Sequence, residues 1–373
     1  MRVLHVVTLH SPTGAFGGPV RVALNLSKGL AERGHEAALV ALGDGFEGEL
    51  PTEVEGVPAR LYPARRFAPL GFSGITSPAL LSAATKLVKD ADVVHVHLAR
   101  DLVTLPVALA ALRAGRPLVL QTHGMVDPSG RLLAKVLDAL AVRRLLRSAG
   151  AVLYLTDHER AGLDAVVGAP PLERAVRLVN GVPVQEPRAP WRGGPPHILY
   201  AARLQARKRP RDFVAAVPEI LVHHPEATFT VAGPDEGELA PVRALIDELG
   251  LADRIAVPGA LSGERMPEEL RAATVYVLPA VDEPFPMSVL ESLSVGTPAV
   301  VTTSNGLAKD IARSGAGRVV TGAGGLAAAV RDLLDPAAHR EASRAALELA
   351  TGSFSMDSVL DTLLGVYTGL GVR

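Results

Sequence analysis

Residues 197–233 read HILYAARLQARKRPRDFVAAVPEILVHHPEATFTVAG. The stretch opens on an apolar run at 197–202 of β-strand composition and closes on a second at 228–232. Between them, after a basic loop, Pro210 stands where a first helical turn accepts proline, and apolar residues recur at helical spacing up to His223. Strand, helix and strand in so short a span make a crossover unit. Its strands run parallel, and a parallel sheet must be covered on both faces.

The same alternation extends both ways. Toward the C-terminus, strands are predicted at 255–257, 275–278 and 299–302, helices at 238–249, 264–272 and 287–295, and the chain from Gly325 onward reads as almost wholly helical. Toward the N-terminus, residues 183–196 are rich in Pro and Gly, lack an apolar period and carry the only Trp, which is how a linker reads. Before them, strands are predicted at 3–8, 36–42, 93–97, 118–122, 151–155 and 176–179, with a helix at 20–33 stopped by Gly34. The expected fold class is α/β. Two Rossmann-like doubly wound domains, 1–183 and 197–355, are joined by a linker at 184–196 and face each other across a cleft.

Composition narrows the function classes. A length of 373 residues suits two cores, and 48 % hydrophobic against 21 % charged residues excludes a disordered chain. Lys and Arg number 38 against 39 Asp and Glu, so a net charge of -1 offers no global attraction to nucleic acid. Any anion must be caught by a local site. The absence of cysteine excludes disulfides, thiolate metal sites and thiol nucleophiles. No run approaches the roughly 18 apolar residues of a membrane span, and MRVLHVVTLH is followed by no cleavage pattern. The expected location is cytoplasmic, at most peripheral at the inner face of the membrane.

Ligands of open parallel sheets bind at the carboxyl ends of the strands, which singles out three loops. In the first, Ser11-Pro-Thr-Gly-Ala-Phe-Gly-Gly-Pro, Gly17 and Gly18 let backbone approach a ligand and precede a helix N-terminus that favours an anion. The second, after 197–202, places four cations (Arg203, Arg207, Lys208 and Arg209) within seven positions. Guanidinium forks with an ammonium suit a diphosphate. The third, Pro279-Ala-Val-Asp-Glu-Pro-Phe-Pro, leads into a helix at Met287. Here Glu283 and Glu291 suit sugar hydroxyls, and the amides of Met287, Ser288 and Val289 lack helical partners. Each loop alone reads equally well as a solvated turn.

Jointly they carry a resemblance. Arg203 and Lys208, then Glu283 and Glu291 with seven residues between, flanked by Leu278-Pro279 and Gly296-Thr-Pro-Ala-Val, resemble the family 4 retaining glycosyltransferases of GT-B fold. Val231-Ala-Gly-Pro, Gly17-Gly18, Thr122-His123-Gly124 and Val179-Asn180-Gly181-Val182 extend the resemblance, in order, over nearly the whole chain. It implies a nucleotide-sugar-dependent hexosyltransferase with Arg203, Lys208, Glu283 and His123 as the catalytic set. Arg203 and Lys208 would bind the donor diphosphate, Glu291 the ribose, and Glu283 with Pro286, Met287, Ser288 and Val289 the donor sugar. Gly17 and Gly18 would close over the diphosphate, and Gly259 and Leu261 would pass near the base. His123 would bond a donor hydroxyl or orient the acceptor, with His97, Arg66 and Met125 on the acceptor side. The resemblance also implies a helix at 356–373 packed on the N-terminal domain.

The expected donor is a UDP- or GDP-sugar, and the acceptor a carbohydrate, lipid-linked or small-molecule hydroxyl. No cofactor is expected. His95-Val-His97 puts two rings on one face of a strand, but no acidic residue stands beside them, so no metal is expected either. Arg131, Lys135, Arg143, Arg144 and Arg147 among apolar residues read as a domain helix or as a peripheral membrane contact. The chain departs from the family pattern at Ala202, at Arg209 and in Glu283-Pro-Phe-Pro, where proline replaces glycine and removes amide donors. A sugar-nucleotide epimerase and a non-catalytic nucleotide-sugar-binding protein are the competing readings.

Overall fold

The structure, a computed structural model, describes residues 1–12, 17–67, 71–183, 185–262 and 265–372. These form two compact units, Met1–Gly181 together with Met356–Arg373, and Val182–Ser355.

The first unit is built on ten strands: β1 Arg2–His10, β2 Glu36–Gly43, β3 Glu53–Val54, β4 Val57–Pro63, β5 Arg65–Arg66, β6 Ile75–Thr76, β7 Val93–His97, β8 Leu118–Gln121, β9 Ala151–Tyr154 and β10 Ala175–Arg177. Its main sheet has the order β10-β9-β8-β7-β1-β2-β4-β3, while β5 and β6 pair separately. All pairs of the main sheet are parallel except β3 with β4. From β1 the chain adds strands on one side, then returns to add β7 to β10 on the other. The order therefore reverses between β1 and β7, and the loops leaving their carboxyl ends part there to leave a crevice.

Alternate residues of the central strands face different cores. Val94 and Val96 join Leu80, Leu87, Val107 and Leu163 on one face. Val3, Val93, Val119 and Leu153 join Val22, Leu26, Leu30, Leu360, Leu363 and Tyr367 on the other. The second group contains the helix Met356–Gly369, so this unit is closed by the far end of the chain. Gly29 admits it: a Cβ there would stand 2.3 Å from a Leu360 methyl. Arg33 pairs with Asp357 at 3.0 Å and also with Asp361.

The second unit carries β11 His197–Ala201, β12 Thr228–Ala232, β13 Ile255–Gly259, β14 Val275–Leu278, β15 Ala299–Thr302 and β16 Gly317–Val320. They form one sheet, ordered β13-β12-β11-β14-β15-β16, with every pair parallel. Here the order reverses between β11 and β14. The loops after these two strands are the basic loop and the Glu283 loop.

The helix predicted at 20–33 begins earlier, spanning Gly17–Glu32, which puts Gly17 and Gly18 in its first turn. Residues 13–16 of that loop, and Glu264 of the helix predicted at 264–272, lie outside the described residues. Strands β3, β4, β5, β6 and β16 were not anticipated. β4 carries two prolines and an arginine in VPARLYP, β16 is the four-residue GRVV, and the others are two residues long, so none shows a clear apolar run.

Candidate active-site residues in each unit

In the second unit the basic loop is held by backbone to its neighbours. Ala202 donates to Ala232 and Leu204 to Pro234, at 3.0 and 2.8 Å. Gly233 makes this approach possible: its φ is +147°, and a Cβ would stand 1.8 Å from the Ala202 carbonyl oxygen. A single 3-10 turn, Ala206–Lys208, follows, and Arg209 takes a left-handed conformation to cap the helix Pro210–His223. The Arg209 side chain turns to Asp212, at 3.7 Å, while Arg203 is half exposed and lies 3.1 Å from Glu236.

Lys208 and Glu283 meet in an ion pair with both side chains buried, and Arg207 stands 3.8 Å from the same carboxylate oxygen. Burial lowers the Lys208 ammonium pKa, and the Glu283 charge opposes that shift. The two loops are stitched together by Val281 N–H donating to the Arg207 carbonyl at 2.9 Å, and by the Arg207 guanidinium donating to Asp282 at 3.0 Å. Asp282 adopts a φ of +49°, one of four described non-glycine residues with positive φ. On its far side the Glu283 loop rests on the segment after β15. Gly306 N–H donates to the Glu283 carbonyl at 2.8 Å, and Asp282 N–H to Ser304 Oγ at 3.2 Å.

The helix Met287–Ser294 starts at Pro286, whose side chain makes no capping hydrogen bond. Tyr276, fully buried, donates its hydroxyl to the Ala201 carbonyl at 2.7 Å, and its oxygen lies 2.8 Å from Ser288 Oγ. One phenol therefore ties β14, β11 and the helix start. Burial raises its pKa, so it stays a neutral donor. Glu291 follows one turn on, half-buried, and Gly259 ends β13 with a φ of +84° and its carbonyl bonded by Gly233 N–H at 2.8 Å. Leu261 lies two residues further and is half-buried. Cations, a helix start and carboxylates thus share one sheet edge, a set of charges and donors suited to an anion carrying hydroxyls.

In the first unit the corresponding edge is histidine-rich. His123 follows β8 with a φ of +51°, and Gly124 follows with +72°. A buried carboxylate, Glu159, holds this turn. It accepts from Thr122 Oγ1 at 2.5 Å, from Gly124 N–H at 2.6 Å and from Leu155 N–H at 2.6 Å. Behind His123, His97 Nδ1 lies 2.7 Å from His123 Nε2, and His5 Nδ1 lies 3.1 Å from His97 Nε2. His95 Nδ1 lies 2.7 Å from the Tyr367 hydroxyl. Burial drives the His5 and His123 pKa values down to about 3 and those of His95 and His97 well below the ordinary value, so all four rings are neutral at pH 7.

His5, His95 and His97 offer ligand atoms within 4.8 Å of one another. The His95 and His97 rings, however, are stacked at 4.8 Å with planes 1° apart. Imidazole lone pairs lie in the ring plane, so those of stacked rings run side by side instead of converging on one ion. The set is better suited to hydrogen bonding.

His97 is wholly buried, with both ring nitrogens within hydrogen-bond distance of neighbouring imidazoles. Met125 lies in the His123 turn, donating to the Thr122 carbonyl at 2.8 Å. Arg66 is exposed on β5 and paired with Asp44. Neither Gly17 nor Gly18 has a side chain to contribute, and a Cβ on Gly18 would meet nothing within 4 Å.

Two family models match the chain: Glycosyl transferase 4-like domain over residues 17–181 and Glycosyl transferases group 1 over residues 183–347. The 2-deoxystreptamine N-acetyl-D-glucosaminyltransferase of Streptomyces fradiae is 30 % identical over 92 % of this chain and 89 % of that protein. The chain belongs to the group 1 glycosyltransferases.

A D-inositol 3-phosphate glycosyltransferase of Acidothermus cellulolyticus is 35 % identical over 46 % of this glycosyltransferase and 40 % of that relative, so it spans under half of that protein's length. HepE of Anabaena, solved with UDP and glucose, superposes with a TM-score of 0.78 over 99 % of both chains at 17 % identity, a likeness that shows the GT-B fold. The epimerase and binding-protein readings give way to an enzyme of the transferase class.

Several residues of this glycosyltransferase escape a sequence reading. Glu159 looks like an exposed first-turn acid in Asp-His-Glu-Arg, and only burial shows it holding the His123 turn. Asp101, also buried, accepts from Thr8 Oγ1 at 2.6 Å and from the amides of Val103 and Thr104 at 2.8 and 2.7 Å. Arg100 meets Asp138 through Nε at 2.8 Å and Nη2 at 3.1 Å, pinning the segment after His123. His5 could have been suspected, since it alternates with Leu4 and Val6 as His95 and His97 alternate with Val94 and Val96.

Proposed function

We propose that this glycosyltransferase moves a hexosyl group from a UDP- or GDP-sugar to a hydroxyl of a glycan, glycolipid or small-molecule acceptor, with retention at the anomeric carbon. The observation that carries the reading is the clustering of Arg207 and Lys208 with Glu283, on the same sheet edge as the start of the Met287–Ser294 helix. The 2-deoxystreptamine relative gives support for a small polyhydroxylated acceptor, and the UDP complex of HepE for the donor class.

In this reading Arg203 and Lys208 neutralise charge growing on the diphosphate as the C1–O bond breaks. The acceptor oxygen bonds to C1 on the same face, and its proton passes to the departing phosphate oxygen. Glu291 takes the ribose, Glu283 and the amides of Met287, Ser288 and Val289 the sugar, and Gly259 and Leu261 lie beside the base. His123 meets a sugar hydroxyl, and Met125 and Arg66 belong to the acceptor side. No metal or cofactor enters. The proline substitutions restrict the sugar by removing amide donors at Pro284 and Pro286. A thermal-shift screen against UDP-, GDP- and dTDP-sugars, followed by product analysis with an acceptor panel, tests the reading. A donor that raises the melting point and is transferred with retention supports it; no saturable binding by any nucleotide sugar overturns it.

The same proposal includes peripheral contact of the protein with an anionic membrane surface. Among the described residues no helix is long and apolar enough to cross a membrane. Yet Leu132 is 77 % and Leu140 72 % exposed, with Val136 exposed between them. Exposed Arg131, Lys135, Arg143, Arg144 and Arg147 lie on the same stretch. Leucines flanked by cations suit an anionic bilayer, whereas a second copy would oppose like charges. Sedimentation with phosphatidylglycerol vesicles, lost on Leu132→Asp with Leu140→Asp, is the expected result; equal recovery of both proteins removes the membrane from the proposal.

A further inference from the structure

Three neutral imidazoles joined by two hydrogen bonds constrain one another. Each neutral ring carries one N–H, so His97 can donate through only one nitrogen and must accept at the other. Two arrangements are self-consistent. In one, His5 Nδ1–H donates to His97 Nε2, His97 Nδ1–H donates to His123 Nε2, and His123 carries its proton on Nδ1. In the other every proton sits on Nε2 and every bond is reversed.

The end of the row decides between them. His5 Nε2 is buried with no hydrogen-bond partner among the described residues. The reversed arrangement would leave an N–H there without an acceptor, while the forward one leaves a lone pair. Orphaned buried N–H groups are the rarer of the two. The apolar neighbours Val3 and Val7 on the same face of β1 offer that N–H nothing.

We propose that His5 and His97 are positioning residues that fix the proton of His123 on Nδ1, so that this ring faces its ligand as a hydrogen-bond donor. The Glu159 clamp sets the backbone of the His123 turn, and the His97 ring, joined to it edge to edge with centroids 5.0 Å and planes 8° apart, sets the plane of the imidazole. What backbone and ring plane leave undetermined is the tautomer. The His5–His97 row supplies it from the sheet interior, where water does not compete. The catalytic consequence rests on the reading of His123 as a sugar contact; the tautomer itself does not.

The test is long-range nitrogen–proton correlation NMR of the full chain labelled at histidine, with His123 assigned from His123→Gln. Nδ1–H on His123 is expected, and Nε2–H overturns the proposal whatever the enzyme transfers. In His5→Phe, which keeps a ring but loses the donor, His123 should become a mixture of tautomers. The turnover number should fall about tenfold, the worth of about one hydrogen bond, with donor KM little changed. His5→Asn, whose amide nitrogen stands near the position of Nδ1, should restore both. An unaltered His123 spectrum in His5→Phe overturns the proposal. Should that variant fail to fold, the wild-type and His5→Asn spectra still decide. A correct tautomer row with no effect on transfer removes the catalytic role of His123 and leaves the row standing.

Discussion

The turn after β8 and the loop after β11 both sit at the carboxyl edge of a parallel sheet, yet they are held in opposite ways. Around Lys208, formal charges do the holding, with an ammonium, a guanidinium and a carboxylate on one buried point. Around His123, a single carboxylate collects three donors from behind and every imidazole is neutral. Under the proposed function the charged edge meets an anion, which needs charge already in place at a desolvation cost. The histidine edge would orient hydroxyls, which needs direction, and neutral imidazoles supply it without attracting counter-ions.

The largest expected effect comes from removing charge. Arg203→Ala or Lys208→Ala should lower transfer about 10³-fold, about 4 kcal/mol, measured as kcat/KM with the donor varied. A loss under tenfold would erase the distinction between the edges. Next, Glu283→Gln leaves a buried ammonium without its carboxylate and should cost about 3 kcal/mol of stability, read by urea unfolding. Lys208→Met combined with Glu283→Leu should recover most of that stability while staying inactive, which would show that the pair serves chemistry. At the histidine edge, Glu159→Gln replaces an acceptor of three donors by an amide and should cost about 2–3 kcal/mol, with His123 contacts loosened.

The smallest effect separates the edges by pH. An unfolded imidazole takes up a proton near pH 6.5, whereas native His5 does so only at about 3. Stability from this ring is therefore complete above pH 6.5 and is lost as pH falls toward 3, by about 1.4 kcal/mol per unit. At pH 5 that is about 2 kcal/mol per buried ring. The melting point of wild type should fall between pH 6.5 and 5 more steeply than that of His5→Phe.

Strand-and-helix alternation was legible because strands such as Val275–Leu278 are buried on both faces and read as unbroken apolar runs. Arg203, Lys208 and Glu283 were legible as types in loops, though not that Glu283 holds Lys208, since 75 residues separate them. His95 and His97 announced themselves by strand period. His5 alternates in the same way, but that it partners them was not legible, because the register His5↔His95 is set by pairing of β1 with β7, which no local pattern encodes. Glu159 was invisible for the same reason: burial is a property of neighbours.

The helix Met356–Gly369 closes a core begun by Gly17–Glu32. While the chain is being made, the first sheet waits for it. At synthesis rates of roughly 5–20 residues per second, the 174 residues of the second unit impose a delay of about 10–35 s. Through that interval Val22, Leu26 and Leu30 line an open apolar face. A translational pause between the units would prolong that exposure.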